Sequence, residues 1–268
     1  EDMSRHLIWR LLHSHMFYNS EQVSQRYAKM RIENFYIPKN VNSEEWSEYY
    51  KKMFGYYEMF CEKLEPIIKK KLPKFQKSIS AKKAQEMARY ILPVGMKAHL
   101  YHTINVTTAL RYISVAKYLP EAQNEAIEFV SLLEKEMLKI DKDLKPLIEF
   151  AKKERAVFPE IDLKKFRAEN SVKVFDVINY DFNINENYAG VLRASNLFLD
   201  ESLLGGFNSY IKLSFSADAQ NQRHRRSPAI RPSLESIYKQ DFYIPPIIKE
   251  YLESEYKDAI EYSYKFFE

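Results

Sequence analysis

Arg223, Arg225, Arg226 and Arg231 crowd around His224 in the segment DAQNQRHRRSPAIRPSLES. Guanidiniums this close repel one another, so a fold that gathers them needs an anion to offset the repulsion. Phosphate suits that role, because its oxygens match the guanidinium fork. A solvated basic loop is the plainer alternative. Nucleic acid is disfavoured, since no aromatics interleave with these arginines as a stacking platform requires. His99 and His102 offer ring nitrogens to a metal, but no carboxylate or third ligand accompanies them at useful spacing. Cys61 is the only cysteine, which excludes a disulfide framework and a cysteine zinc site. It lies in an apolar helical stretch and reads as buried filler in a reducing, cytoplasmic setting.

The elements that must position these groups are mainly helical in the first half. Leu7, Ile8, Leu11 and Leu12 have helical spacing within residues 4–12, and a polar turn follows. Asn42 and Glu45 form a capping box, opening a helix with the face Trp46, Tyr50, Met53, Tyr57, Phe60 and Leu64, interrupted by Pro66. Lys69, Lys70, Lys71, Lys74 and Lys77 read as a solvated basic surface rather than an anion patch. Ser80 caps a short helix that Pro93 stops; another helix runs from about Asn105 to Lys117. Pro120 stands in the first turn of a third, carrying Ile127, Val130, Leu133, Met137 and Ile140. Beyond about residue 160, SVKVFDVI and SYIKLSFSA alternate as strands do, YAGVLRAS reads as a short helix, and Ile247 to Phe267 is helical again.

The composition of the 268 residues is that of a globular chain: 46% hydrophobic, 29% charged and 15% aromatic. Five glycines are too few for a glycine-cradle nucleotide fold or a turn-rich all-β fold. A net charge of +4 does not by itself indicate a nucleic-acid partner. No apolar run spans a bilayer, and the opening EDMSRHLIWRLL is not a signal peptide. The absence of Met at position 1 suggests processing or an excerpt from a longer chain. Phe35-Tyr36-Ile37-Pro38 recurs as Phe242-Tyr243-Ile244-Pro245, each after a polar segment and before an acidic, tyrosine-rich helix, which points to duplication.

Arg223-His224-Arg225, seven residues and then Ser233 resemble the RHR-x7-S signature of the flavin-dependent thymidylate synthases, the ThyX family. Gln220 precedes it where the family commonly has Gln. Gly206-Phe207-Asn208-Ser209-Tyr210 is similar to a worn G-H-x-S-x-F-E-H segment. In the first half, MSRHLIWRLLHSHMFYNSEQVSQRY resembles S-R-x4-Q-x2-R-H-R…S-x-R-Y, with RHR worn to His13-Ser14-His15 or Ser14-His15-Met16 and Ser24, Arg26 and Tyr27 intact. Ala88 to Pro93 resembles A-R-x-[VI]-L-P, Asn105 the start of N-x-R, and Ala122 to Glu125 A-Q-x-E. These matches run in family order.

The resemblance implies an α+β, ThyX-like fold, an antiparallel sheet with a long-helix bundle, predominantly helical in residues 1–150. Residues 1–150 resemble the C-terminal two-thirds of one unit, 151–170 a linker, and 171–268 the N-terminal half of a second; a tandem is favoured over a circular permutation. By the same resemblance, Arg223, His224, Arg225 and Asn105 hold FAD. Ser24, Arg26 and Arg89 hold the dUMP phosphate, Gln220 lies near the pyrimidine, and Ser233 matches the second unit's phosphate serine. The implied reaction is reductive methylation of dUMP to dTMP, with methylenetetrahydrofolate and NADPH as co-substrates, in a homo-oligomer without nucleic-acid or membrane partners. No cysteine nucleophile is needed.

Several positions depart from the family pattern. Glu235 replaces the Arg of the second S-x-R-Y, Thr107 that of N-x-R, and Ala116, beside Lys117, the Arg that grips uracil. A lysine does not reproduce a bidentate arginine contact. The losses of the two units are largely complementary, so a composite site is expected. The alternative is a catalytically silent ThyX-like protein that binds a nucleotide or scaffolds an oligomer.

Overall fold

A computed structural model describes residues 2–13, 18–22, 31–73, 77–155, 172–178, 206–221, 233–234 and 242–268. The chain forms two compact units. One joins Glu1–Pro159 to Ala219–Glu268, and the other is Glu160–Asp218. The fold is α+β. Among the described residues the strands pair as three separate two-stranded antiparallel ladders rather than one sheet.

The first unit opens with β1 (Met3–Ser4) and α1 (Arg5–Leu7), which continues as a π-helical turn, Ile8–Leu12. Ser4 caps α1 by accepting the Leu7 N–H at 3.0 Å. Where the sequence suggested a polar turn, β2 (Tyr18–Gln22) forms and pairs with β4 (Leu100–Ile104), Ser20 opposite His102. Alternation was absent there because the ladder, not an apolar face, organises the segment. β1 pairs with β3 (Lys97–Ala98).

α2 (Ser43–Lys71) begins at Asn42, whose side chain accepts the Glu44 N–H at 3.1 Å and the Glu45 N–H at 3.4 Å. The helix does not stop at Pro66, as the sequence suggested. Pro66 removes one ladder hydrogen bond, but burial of Leu64 and Ile68 on either side of it holds the last turns in the core. α3 (Lys77–Ala88) ends in a tight turn, Arg89–Ile91, before Pro93. Ser80 lies inside α3, fully buried, and is not its cap. Lys69, Lys70 and Lys71 are exposed, and Lys71 pairs with Glu250.

Asn105 caps α4 (Val106–Val115). α5 (Gln123–Ile140) starts three residues after Pro120, because Ala122 takes a left-handed φ of 55° and turns the chain into the helix. α6 (Lys145–Lys153) packs on α4. The α1 stretch, α4 and α5 bury Leu7, Leu11, Leu12, Tyr112 and Ala126 together. The larger core is aromatic. Here α2 and α3 meet α8 (Pro246–Tyr251) and α9 (Glu253–Phe266), burying Tyr49, Tyr50, Phe60, Leu64, Ile248 and Tyr256. Each such large side chain contributes roughly 1.5–3 kcal/mol of transfer free energy.

In the second unit β5 (Val172–Ile178) pairs with β6 (Gly206–Ile211), with a bulge between Val174 and Asp176. β5 is the strand expected from the alternation of SVKVFDVI, but of SYIKLSFSA only Ser209–Ile211 lies in β6; Leu213 falls after the strand and Phe215 opens a helix, because alternation alone does not mark where the ladder ends. α7 (Phe215–Asn221) follows β6, and its residues from Ala219 onward are counted in the first unit. The YAGVLRAS segment lies outside the described residues.

Candidate functional site

The polar residues of the first unit converge where α1 meets the start of α5. Glu125 accepts the Ser4 N–H at 2.6 Å and also its hydroxyl hydrogen. Burial pushes the Glu125 carboxyl above the usual range, and the Ser4 bonds pull it back only in part. Four residues earlier, just before α5 begins, Glu121 sits 2.7 Å from the Arg10 guanidinium and 3.8 Å from His6 Nε2, and accepts the Leu234 N–H. Burial alone would raise Glu121, but the nearby His6 imidazole, the Leu234 N–H bond and the Arg10 charge outweigh it and lower its pKa. Arg10 is itself buried and stacks over Trp9, 4.6 Å from the ring centre.

Arg5 stands on the same short helix, its N–H donating to the Met96 carbonyl at 2.8 Å. Desolvation, with a smaller contribution from the Arg89 charge nearby, lowers the Arg5 pKa to about 10, so it stays charged at neutral pH. Arg5 was not singled out from the sequence. The signal was present, because it is the Arg of the S-R pair, but the structural neighbour that gives it meaning is 84 positions away.

The other expected site residues are distributed unevenly. Arg89 lies in the turn after α3, part-buried. The Asn105 side-chain oxygen accepts the Thr108 N–H at 2.8 Å, which leaves its amide nitrogen as the exposed donor. Gln220 is exposed near the end of α7. Ser233 is part-buried and adjoins Leu234, whose N–H holds Glu121; the signature's serine is thus brought to the first half's cluster. Ser24, Arg26, Arg223, His224 and Arg225 lie outside the described residues.

The departures have structural counterparts. Ala116 is 1% exposed, so its small side chain is a packing element of the α4–α5 core. Lys117 donates to the Lys152 carbonyl at 2.7 Å and lies over the Tyr118 ring. His13, at the worn RHR, is buried with Nε2 3.1 Å from Ser20 Oγ. Beside it Tyr112 donates to the Leu12 carbonyl at 3.0 Å, and His102 Nε2 lies 3.0 Å from the same hydroxyl. His102 is on an extended strand, so the i, i+3 spacing with His99 does not align the two rings as a helix would. Among the described residues no three His, Cys, Asp or Glu gather as a metal set. No described helix is long and apolar enough to cross a membrane. A shallow cleft of about 420 Å³ lies between Tyr36–Asn40 and α5, lined by none of the expected site residues.

Residues 1–141 match the family model described as thymidylate synthase complementing protein, and the chain belongs to that family. It is similar to a flavin-dependent thymidylate synthase of Aquifex aeolicus (strain VF5), with 28% identity over 127 residues. The match covers 46% of this chain and 39% of that protein, so the chain spans well under half of the curated relative's length.

Proposed function

We propose that this chain is a flavin-dependent thymidylate synthase-type methyltransferase whose nucleotide site is composite. Arg5 and Arg89 hold the dUMP phosphate, with Ser24 and Arg26 as further donors. The observation that carries the reading is that the Arg5 backbone bonds to Met96, shortly past the turn that holds Arg89, so that two guanidiniums from separate family motifs fall within each other's electrostatic reach. A phosphate dianion is the ligand two such forks suit. Ser4 and Glu125 fix the start of α1 and so aim Arg5. Glu121 clamps Arg10, His6 and the Leu234 backbone, which ties the stretch after the RHR signature to this end of the first unit.

In this reading residues 1–150 and 171–268 are parts of two tandem units, joined by 151–170. Arg223, His224, Arg225 and Asn105 hold FAD, and Gln220 and Ser233 face the pyrimidine nucleotide. The exposed amide nitrogen of Asn105 fits a flavin carbonyl or phosphate oxygen as acceptor. When bound, reduced flavin supplies the hydride for reductive methylation of dUMP, with NADPH and methylenetetrahydrofolate as co-substrates. The role of the chain's own groups is to orient dUMP through its phosphate and to stabilise developing negative charge with guanidiniums. A homo-oligomer in the cytoplasm completes the reading.

A second reading has its own support. Ala116 is packed in the core, and the worn RHR contributes His13 to a structural hydrogen bond. Both favour a silent ThyX-like protein that binds a nucleotide or scaffolds an oligomer. Purified full chain separates the two. A bound-flavin spectrum, lost in Arg223→Ala, with dUMP-dependent NADPH oxidation is expected for the enzyme. Protein that stays colourless when FAD is added eliminates it.

A further inference from the structure

The repeated Phe-Tyr-Ile-Pro is the start of a longer match. In both copies the proline is followed, after the same interval, by Ser-Glu-Tyr: Ser47-Glu48-Tyr49 and Ser254-Glu255-Tyr256. At the same constant offset Tyr57 matches Tyr264 and Phe60 matches Phe267. One ungapped register therefore relates residues 35–60 to residues 242–267.

These two stretches lie against each other. α2 and α8–α9 run antiparallel, from Trp46 beside Phe266 at one end to Lys63 paired with Glu255 at 2.8 Å and Lys71 paired with Glu250 at the other. Two ring contacts between them are reciprocal. Tyr49 meets Phe267 at 5.5 Å, and the matching residues exchange places when Tyr256 meets Phe60 at 5.7 Å. A contact in which i meets j′ and j meets i′ is the signature of two-fold, isologous packing. Both copies also tie back to their own leading segment. The Tyr50 hydroxyl donates to the Tyr36 carbonyl at 2.9 Å, and the Tyr256 hydroxyl donates to the Tyr243 carbonyl at 3.1 Å. The donor in the first copy stands one residue past the strict match. Ordinary packing of two aromatic helices requires neither a constant offset nor reciprocity.

We propose that α2 and α8–α9 are copies of one element, and that their contact is the intramolecular form of a homodimer contact. The aromatic face of α2 is a self-recognition surface. Its partner is a second helix of the same repeat, supplied here in cis. When that copy is displaced, the face takes α2 of a second copy of this chain. The inference is independent of the catalytic reading.

Two experiments on the full chain test it. Double-mutant cycles with alanine at Tyr49/Phe267 and at Phe60/Tyr256 should each show coupling of about two- to tenfold in the unfolding equilibrium. Coupling at one end alone, or at neither, overturns the two-fold arrangement. The second experiment displaces α9 with Ala259→Arg, a position with no exposure in this core. In a Cys61→Ser background it is combined with Tyr56→Cys, because Tyr56 lies midway along the contact, 6.4 Å from Tyr262. Sedimentation velocity should show the assembly doubling relative to the same chain with Ala259, and a short bismaleimide should link position 56 of one chain to position 56 of another. No doubling, or doubling without that cross-link, overturns self-recognition. If the arginine variant does not fold, the cycles decide the proposal, since they leave α9 in place.

Discussion

Ser4 and Glu125 are 121 residues apart and meet through two hydrogen bonds, one from the Ser4 backbone and one from its hydroxyl. Both residues are buried, at 1% and 8% exposure. The Ser of S-R and the Glu of A-Q-x-E thus prove to be the two halves of one clamp. Glu125→Ala strands two buried donors, and each such loss costs roughly 1–3 kcal/mol. The midpoint of chemical denaturation should fall accordingly, and Glu125→Gln, which keeps an acceptor, should recover part of it.

Glu121, just before α5, and Glu125, in its first turn, should leave opposite marks on stability as a function of pH. The folded pKa of Glu125 is raised, so the folded state holds its proton longer than the unfolded chain does. Its contribution is favourable at low pH and declines as pH rises from the ordinary carboxylate range toward the folded value. The folded pKa of Glu121 is lowered, so its contribution is present above the ordinary range and is lost as pH falls through the folded value. Denaturation midpoints measured across acidic pH for Glu125→Gln and Glu121→Gln should differ from the parent with opposite slopes. Equal slopes would mean that the two carboxyls share one environment.

Arg5→Ala and Arg89→Ala should each weaken dUMP binding by about ten- to a hundredfold, as expected for a charge-assisted hydrogen bond of roughly 1.5–3 kcal/mol. Deoxyuridine, which lacks the phosphate, should bind the parent and both variants alike. Calorimetric titration of both ligands makes the comparison. Equal losses for the nucleoside would show that these arginines do not act through the phosphate.

Gly95 is placed where a side chain has no room. A Cβ there would stand 2.5 Å from the Tyr50 hydroxyl and 3.6 Å from the Tyr36 carbonyl. The Tyr36 N–H also donates to the Gly95 carbonyl at 2.8 Å. Gly95→Ala forces the buried Tyr50 ring away from its acceptor, and overpacking of this kind costs about 1–3 kcal/mol. A loss in the thermal midpoint is expected, and Tyr50→Phe combined with Gly95→Ala should soften it by removing the clashing oxygen.

The helices were legible because their cause is local. Asn42 and Asn105 stand at helix starts as capping residues, and the spacing of Met53, Tyr57, Phe60 and Leu64 marks a buried face. Pro66 misled because propensity is a local cost that tertiary burial of Leu64 and Ile68 overrides. β2 was hidden because Tyr18–Gln22 is polar and is defined by its ladder with β4, whose residues lie far along the chain. The site was legible only in pieces. Family motifs marked Arg89 and Ser4 separately, but neither the neighbourhood of Arg5 with Arg89 nor the reach of Leu234 to Glu121 has any trace in spacing.

The burial of α2 beneath α8 and α9 also bears on how the protein is made. Some ~170 residues separate the end of one helix from the start of its cover, and ribosomes add about 5–20 residues each second. For roughly 10–35 s, then, the nascent chain carries Tyr49, Phe60 and Leu64 with α3 beside them but without the cover of α8 and α9, which makes this helix a natural client of a holding chaperone during translation.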